Sequence, residues 1–394
     1  MKFIDFFAGI GGFRRGMELA GHECIGFCEF DKFATASYVS MHLLTEEQRK
    51  ALEDIPIKKR QKEILKEEYR NGEWYANDIR RVYAGDIPKA DCWCFGFPCQ
   101  DISVAGKQAG FRGNRSSLFF RVMYLVGQLK EEDKPTYLFI ENVKNLLSVN
   151  GGWDFARLLI EMEQGGYDAE WQVLNSKDFG VSQNRERCFI VGHLRGRSTS
   201  KVFPIEGKDG KNSVSLNLFG CLNGRNSQRD RVYSDDGLAP TISTKPGGNT
   251  EPKIVIPVLT PDRAEKRQNG RRFKDNGEPM FTLTRQDWHG VAIEVEEATK
   301  RLDTSCNQGI FVKVSDVLIV YAVWYEKYQC YIAIRKLTPR ECFRLQGWSD
   351  DYFEKAQFVN SDSQLYKQAG NGVTVTVIEA IARKMKVESV KLRQ

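Results

Sequence analysis

The residue best placed for chemistry is a cysteine that directly follows a proline at the exit of an apolar run: Gly96-Phe97-Pro98-Cys99-Gln100-Asp101-Ile102-Ser103. Proline fixes its own φ and biases the residue before it toward an extended conformation. The thiol therefore sits at a stiff strand exit, opening a Gly-rich loop, which suits a nucleophile. The plain alternative is a buried free cysteine, where most cysteines end up. A carboxylate marks a second place. Glu29 stands at the tip of a second predicted strand, ~20 residues past Ala8-Gly9-Ile10-Gly11-Gly12, where a carboxylate takes the hydroxyls of a ribose. The glycines do not follow G-x-G-x-x-G, so alone they identify no dinucleotide.

The elements that must carry these groups alternate between strand and helix. Residues 2–7 predict a fully buried strand, followed by the glycine turn and a helix over 13–20. Strand 23–29 leads to a helix from Asp31, and strand 91–95 leads into the Pro98-Cys99 loop. That loop runs to Asn114 through Gly106, Gly110 and Gly113 and is a mobile-loop candidate. A helix over 117–130, a strand over 136–140 ending in Glu141-Asn142-Val143, an amphipathic helix over 153–164 and strands near 169–174 and 188–191 complete an α/β unit. Residues 43–73 differ: rich in Lys, Arg and Glu, broken at Pro56, they predict a solvated helical insertion. After Arg195 Gly, Asn, Ser and Pro rise, and short β-like runs such as 253–258 and 317–324 predict a second, smaller, irregular β-rich domain. Residues 236–244 and 276–284 echo each other weakly. Thr338-Pro339-Arg340-Glu341 predicts a capped helix start, and a final helix is expected to about Lys386.

With 394 residues the chain is long enough for two domains or for one large domain with an insertion. Hydrophobic content of 41% and charged content of 28% are those of a soluble globular protein. No apolar run is long enough to span a bilayer, and the N-terminus does not read as a signal peptide. Ten cysteines without a secretory signal predict reduced thiols. Cys92-Trp93-Cys94 and the scattered His22, His42, His193 and His289 make no zinc pattern, and no metal is expected. A net charge of +6 is compatible with a polyanionic partner without requiring one.

These segments, in this order, resemble the carbon-5 cytosine-specific DNA methyltransferases of the bacterial or phage, restriction-modification-like type. The likeness is carried by Asp5 to Gly12, Gly96 to Ser103, Glu141-Asn142-Val143, Gln183-x-Arg185-x-Arg187, Arg335 to Trp348 and Gln368 to Val373. It covers about 1–42, 74–195 and 335–390; the insertion does not match, and 196–334 matches only in position and texture. The resemblance implies a Rossmann-like α/β sheet with helices on both faces, which uses S-adenosyl-L-methionine and releases S-adenosyl-L-homocysteine. It divides the chain into a catalytic domain at 1–195, a target-recognition domain at 196–334 and a return segment at 335–394.

It also assigns roles. Cys99 is the nucleophile that adds to carbon 6 of cytosine. Glu141 is the acid at ring nitrogen 3, a role that requires it to be held protonated by burial or an apolar wall. Arg185 lies by the base's carbonyl oxygen and the thiol; Arg187 is either a second such cation or an ordinary ion-pair partner. Phe7, Ala8, Gly9, Ile10, Gly11 and Gly12 form the turn under the cofactor. Glu29 takes the ribose hydroxyls, Phe30 packs on the adenine, Asp78 and Ile79 meet its edge, and Pro98 and Leu118 wall it. Asn371 and Val373 close the methionine end from a late loop. Asp86 competes with Asp78 for the acidic role.

The partner implied is double-stranded DNA. Gln100 and Ser103 are candidates for the orphaned base or the backbone, Arg112 and Arg115 for phosphates, and Arg225, Arg229, Arg231 and Arg285 for target reading. A monomer acting in the bacterial cytoplasm or nucleoid is expected, with a restriction endonuclease as a separate companion. The rivals are a tRNA cytosine methyltransferase, whose variable domain is shorter, and an inactive DNA-binding relative.

Overall fold

The structure is a computed structural model. It describes residues 1–97, 118–183, 185–207 and 338–387, together with the backbone of seven strands between 218 and 336. Lys2–Phe6 forms β1 at the centre of a seven-stranded sheet. Its neighbours are β2 (Glu23–Cys28) and β4 (Cys92–Phe95), both parallel to it. β3 (Trp74–Ala76) extends one edge; β5 (Tyr137–Val143), β7 (Glu186–Leu194) and β6 (Tyr167–Asn175) extend the other, giving the order β3-β2-β1-β4-β5-β7-β6. β7 is antiparallel to both its neighbours.

Alternation along the strands sends side chains to two cores. Ile4, Phe6, Trp93, Phe95, Leu138 and Ile140 face α5 (Leu118–Gln128) and α6 (Trp153–Gln164). Phe3, Cys92, Cys94, Tyr137 and Phe139 face α1 (Gly12–Leu19) and α10 (Val375–Ala382). Helices thus cover both faces, and strand order reverses between β1 and β4. That is the switch point at which open α/β sheets hold ligands beyond their carboxyl ends.

Three expectations are modified by packing. The strand carrying Glu141 does not stop at Ile140: β5 runs through Val143 because all of 140–143 pair with β7. β6 and β7 span nine residues each, longer than their apolar runs, since β6 is an edge strand whose partly exposed side chains carry no apolar signal. Residues 366–373 are not a loop: α9 (Asp362–Asn371) takes most of them, and only 372–374 separate it from α10, which ends at Ala382.

The insertion forms α3 (Glu46–Ala51), with a Thr45–Gln48 capping box, and α4 (Ile57–Glu63), which starts after Pro56. It is less solvated than its charge predicts. Leu52 and Ile64 are buried, and the Arg60 guanidinium lies 3.8 Å over Phe358 while donating to the carbonyl oxygens of Leu52 and Phe358 at 2.9 and 2.7 Å.

The chain stays on the sheet past Arg195, with Val202, Phe203 and Ile205 in the α1/α10 core. Beyond it, β8 (Leu218–Cys221) pairs with β9 (Arg231–Tyr233). A five-stranded antiparallel sheet follows in the order β10-β11-β14-β13-β12, from Val255–Val258, Gly290–Val295, Cys330–Lys336, Leu318–Tyr325 and Gly309–Ser315 respectively. Both echo segments lie outside the described residues. The return segment then opens with α7 (Pro339–Arg344) and the Thr338–Glu341 capping box, followed by α8 (Asp350–Gln357). Among the described residues no helix is long and apolar enough to cross a membrane.

Candidate active site

The carboxyl edge of β1 leaves the sheet through a turn that ordinary residues resist. Phe7, Gly9 and Gly11 have φ of 53°, 57° and 84°. For Phe7 this left-handed conformation costs on the order of 1–3 kcal/mol and persists only where surrounding contacts over-determine it. They do. The Ala8 amide donates to the Cys28 carbonyl (3.1 Å), the Gly11 amide to the Ala8 carbonyl (2.8 Å) and the Gly9 amide to Oε2 of Glu29 (2.7 Å). Beneath the turn Asp5 is fully buried, accepts from the Arg14 amide and has its carboxyl pushed well above the usual range by burial.

Glu29 joins two walls of a cleft of 660 Å³, a size suited to a ligand as large as a nucleoside. Its other oxygen, Oε1, accepts from the Asp31 amide at 2.7 Å. Burial pushes the Glu29 pKa up, against the pull of those two amides. Each carboxylate oxygen keeps a lone pair, so the group can still accept from two vicinal hydroxyls. Phe30 beside it is 73% exposed at the rim, with the Arg80 guanidinium 5.4 Å over its ring, and it is placed to stack on a flat heterocycle. Asp78 caps a short turn: it accepts from the Arg80 amide at 3.0 Å and from the Arg80 guanidinium at 2.8 Å, and that guanidinium holds its carboxyl below the usual range. Asp78 and Ile79 line the cleft; Asp86 is exposed in a separate turn and does not. Leu118 forms a far wall, and Lys367, Gln368, Gly370 and Asn371 of the return segment close another. Lys367 is ion-paired to Asp31 across two of these elements.

At the inner end stand Gly96, Phe97, Glu141, Arg185 and Arg187. β5 delivers Glu141 beside the exit of β4: a Cβ built on Gly96 would stand 3.2 Å from Oε2 of Glu141. Glu141 is buried, and its other oxygen meets Nε of Arg187 at 3.1 Å. Arg187 is therefore an ion-pair partner of Glu141. Arg185 is 3% exposed and donates from Nη2 to the Gly372 carbonyl at 2.8 Å, which ties β7 to the return segment. Asn142, buried, donates from Nδ2 to the Phe97 carbonyl at 3.0 Å while its Oδ1 accepts from the Val143 amide. It pins the backbone two residues before Cys99.

The cleft thus brings together Phe7, Gly9, Ile10, Glu29, Phe30, Asp78, Ile79, Leu118, Glu141, Arg185, Arg187 and Asn371 of the expected residues. Ala8, Gly11, Gly12 and Val373 lie behind the lining. Ala8 is buried against Phe27, Gly11 abuts His42, and a Cβ on Gly12 would stand 2.6 Å from Cγ2 of Val373. Pro98, Cys99, Gln100, Ser103, Arg112, Arg115, Arg225, Arg229 and Arg285 lie outside the described residues, and of Arg231 only the backbone, in β9, is described. Residue-type reasoning missed the Asn142 bond to Phe97 and the buried Asp5; a polar residue inside an otherwise apolar strand was the available signal. Among the described residues no cluster of His, Cys, Asp or Glu could hold a metal ion.

A doubly wound sheet with a nucleoside-sized cleft at its switch point, a ribose-type carboxylate and a Glu–Arg pair beside the end of β4 is the architecture of an α/β methyltransferase. A family model described as C-5 cytosine-specific DNA methylase matches residues 1–387, and the chain belongs to that family. It is a DNA cytosine methyltransferase with S-adenosylmethionine as its methyl donor. Orphan methyltransferase M.SPBetaI of Bacillus phage SPbeta is 30% identical, over 98% of this chain and 97% of that protein. Type II methyltransferase M.HhaI of Haemophilus parahaemolyticus is 30% identical over 97% and 93%. The S. pombe Dnmt2 methyltransferase structure has the same fold, with a TM-score of 0.53 at 14% identity over 97% of each chain.

Glu29→Gln is expected to raise the dissociation constant for S-adenosylhomocysteine roughly 10–100-fold, because one amide acceptor and one hydroxyl acceptor become donors. Titration calorimetry across pH 5–8 should show wild-type affinity falling on acidification. Protonation removes the acceptor, and the raised pKa moves that loss above the pH expected for an ordinary glutamate. The variant's profile should be flat; parallel profiles would place the titrating group elsewhere.

Proposed function

We propose that this enzyme methylates carbon 5 of a cytosine flipped out of a specific double-stranded DNA sequence, through a covalent Cys99 adduct at carbon 6. The observation that supports it most is the meeting, in one cleft, of the Glu141–Arg187 pair and Arg185 with the Glu29 turn, at the end of β4 that leads in sequence to Pro98-Cys99. In this reading the sheet domain, which takes in the chain as far as Ile205, and residues 335–394 do the chemistry, and the segment between them selects the site.

Carbon 5 of cytosine is too weak a nucleophile to react unaided. Addition of the Cys99 thiolate to carbon 6 makes the ring enamine-like, with its electron density at carbon 5. To act as the acid Glu141 must take up a proton against the pull of its Arg187 partner; it then donates to ring nitrogen 3, which neutralises the charge that builds there. Arg185 faces the base's carbonyl oxygen and stabilises both the thiolate and the anionic ring. Arg187 orients Glu141. S-adenosylmethionine, when bound, supplies a methyl group activated by its sulfonium, with Glu29 holding the ribose, Phe30, Asp78 and Ile79 the adenine, and Asn371 the methionine end. A base then takes the carbon-5 proton, the C–H electron pair re-forms the 5,6 double bond, and the C6–S bond breaks to release Cys99 as thiolate.

A stacked base is out of reach of this machinery, so the target must leave the helix at a cost of roughly a few kcal/mol. Residues 100–114 are the segment assigned to close over it, with Gln100, Ser103, Arg112 and Arg115 in contact with DNA. Tritiated-methyl transfer to duplex DNA and to tRNA, run side by side, tests the substrate class. Label in DNA alone is expected; label in tRNA alone would overturn the DNA reading. Bisulfite sequencing of DNA from expressing cells then gives the target sequence.

A further inference from the structure

We propose that His42 is a positioning residue for the cofactor: its imidazole fixes the backbone of the glycine turn from behind. This rests on the reading that the cleft holds S-adenosylmethionine. His42 ends α2 (Lys32–His42), where that helix, the turn and the return segment meet. Its Nε2 lies 3.0 Å from the carbonyl oxygen of Ile10, a residue of the cleft lining. A carbonyl only accepts, so Nε2 carries the proton and donates. Burial keeps the ring neutral, so Nδ1 is left as a bare acceptor, and it is buried with no partner among the described residues.

The ring is itself held. Tyr38 lies 4.9 Å away, and Tyr352 and Trp348 of the return segment lie at 5.4 and 5.9 Å between ring centroids. The turn rests directly on it: a Cβ on Gly11 would stand 2.4 Å from Nε2. An unpartnered buried nitrogen is a cost to the fold that a phenylalanine of the same shape would avoid, while leaving the buried Ile10 carbonyl without its donor, so the two effects on stability oppose each other. What the imidazole supplies in return is the bond to Ile10, between the left-handed Gly9 and Gly11. The effects on fold stability therefore largely offset at this one position while the hold on the turn does not, and a pair of variants can separate the two.

His42→Phe keeps the ring stacking and deletes both nitrogens; His42→Gln replaces the donor, because its Nε2 amide can reach the same carbonyl. With full-length protein, His42→Phe should melt, without ligand, within a few degrees of the wild-type temperature, because one buried unpaired group replaces another. It should bind S-adenosylhomocysteine about tenfold more weakly by calorimetry, the loss expected for one hydrogen bond. The Michaelis constant for S-adenosylmethionine should rise in step, with kcat within about twofold, and His42→Gln should recover affinity to within about threefold of wild type. His42→Phe binding as tightly as wild type would overturn the proposal. So would equal losses in the two variants, or an affinity loss matched by a lower melting temperature. If the wild-type protein bound no S-adenosylhomocysteine, the cofactor reading would fall, and this inference with it.

Discussion

Cys99→Ala should abolish methylation, with a loss of at least ~10⁴-fold, because deleting a nucleophile removes the whole covalent route at once. DNA affinity should stay within a few-fold of wild type, since phosphate and base contacts are assigned to other residues. Filter binding and tritium incorporation on the same preparation check both halves. Turnover near wild type would remove the adduct from the mechanism. The surroundings argue for a large effect. Phe97 is buried, its carbonyl is pinned by Asn142, and Glu141 stands where β4 ends. A strand end held this firmly, by a buried amide and beside a carboxylate, is more than core packing demands.

Glu141→Gln should lower kcat by on the order of 10²–10⁴, the range for losing a general acid, while leaving S-adenosylhomocysteine affinity within about threefold. The amide keeps the shape and removes the transferable proton. It also leaves the Arg187 guanidinium, which now meets Glu141 at 3.1 Å, without its carboxylate. A melting curve therefore belongs beside the kinetics, because a half-buried cation that loses its counter-charge destabilises. Equal loss of turnover and cofactor affinity would mean that Glu141 is structural.

What the sequence made legible follows a physical pattern. Short-range rules held at Thr338 and Glu341, where a capping box forms as spelled, and along β1, whose continuous apolar run sits in the sheet centre. Groups at strand ends were legible too. Glu29 and Glu141 are polar residues where an apolar strand stops or is about to, and both line the cleft. Contacts set by distant partners were not legible. The Arg185 bond to the Gly372 carbonyl spans 187 residues of chain and the Asn142 bond to Phe97 spans 45. α9 hid behind Gly370, Asn371 and Gly372, which look like a loop and are the helix's own end. The insertion's charge concealed Leu52, Ile64 and the stacking of Arg60 on Phe358. The burial of Gly11 and Gly12 behind the cleft shows the same limit. Glycine permits close approach, but only the fold shows whether what approaches is a ligand or His42 and Val373.

The covalent step is the centre of this account, and trapping tests it most directly. Duplex DNA carrying 5-fluorocytosine at the methylated position cannot lose its carbon-5 substituent as a proton, so a Cys99 adduct, once methylated, has no route to elimination. Incubation with S-adenosylmethionine should give a protein–DNA complex that survives denaturing electrophoresis, with the DNA-linked peptide ending the trace at Cys99, and Cys99→Ala should give none. A wild-type enzyme that methylates ordinary DNA yet forms no such complex, or one that forms it equally well in Cys99→Ala, would contradict the mechanism.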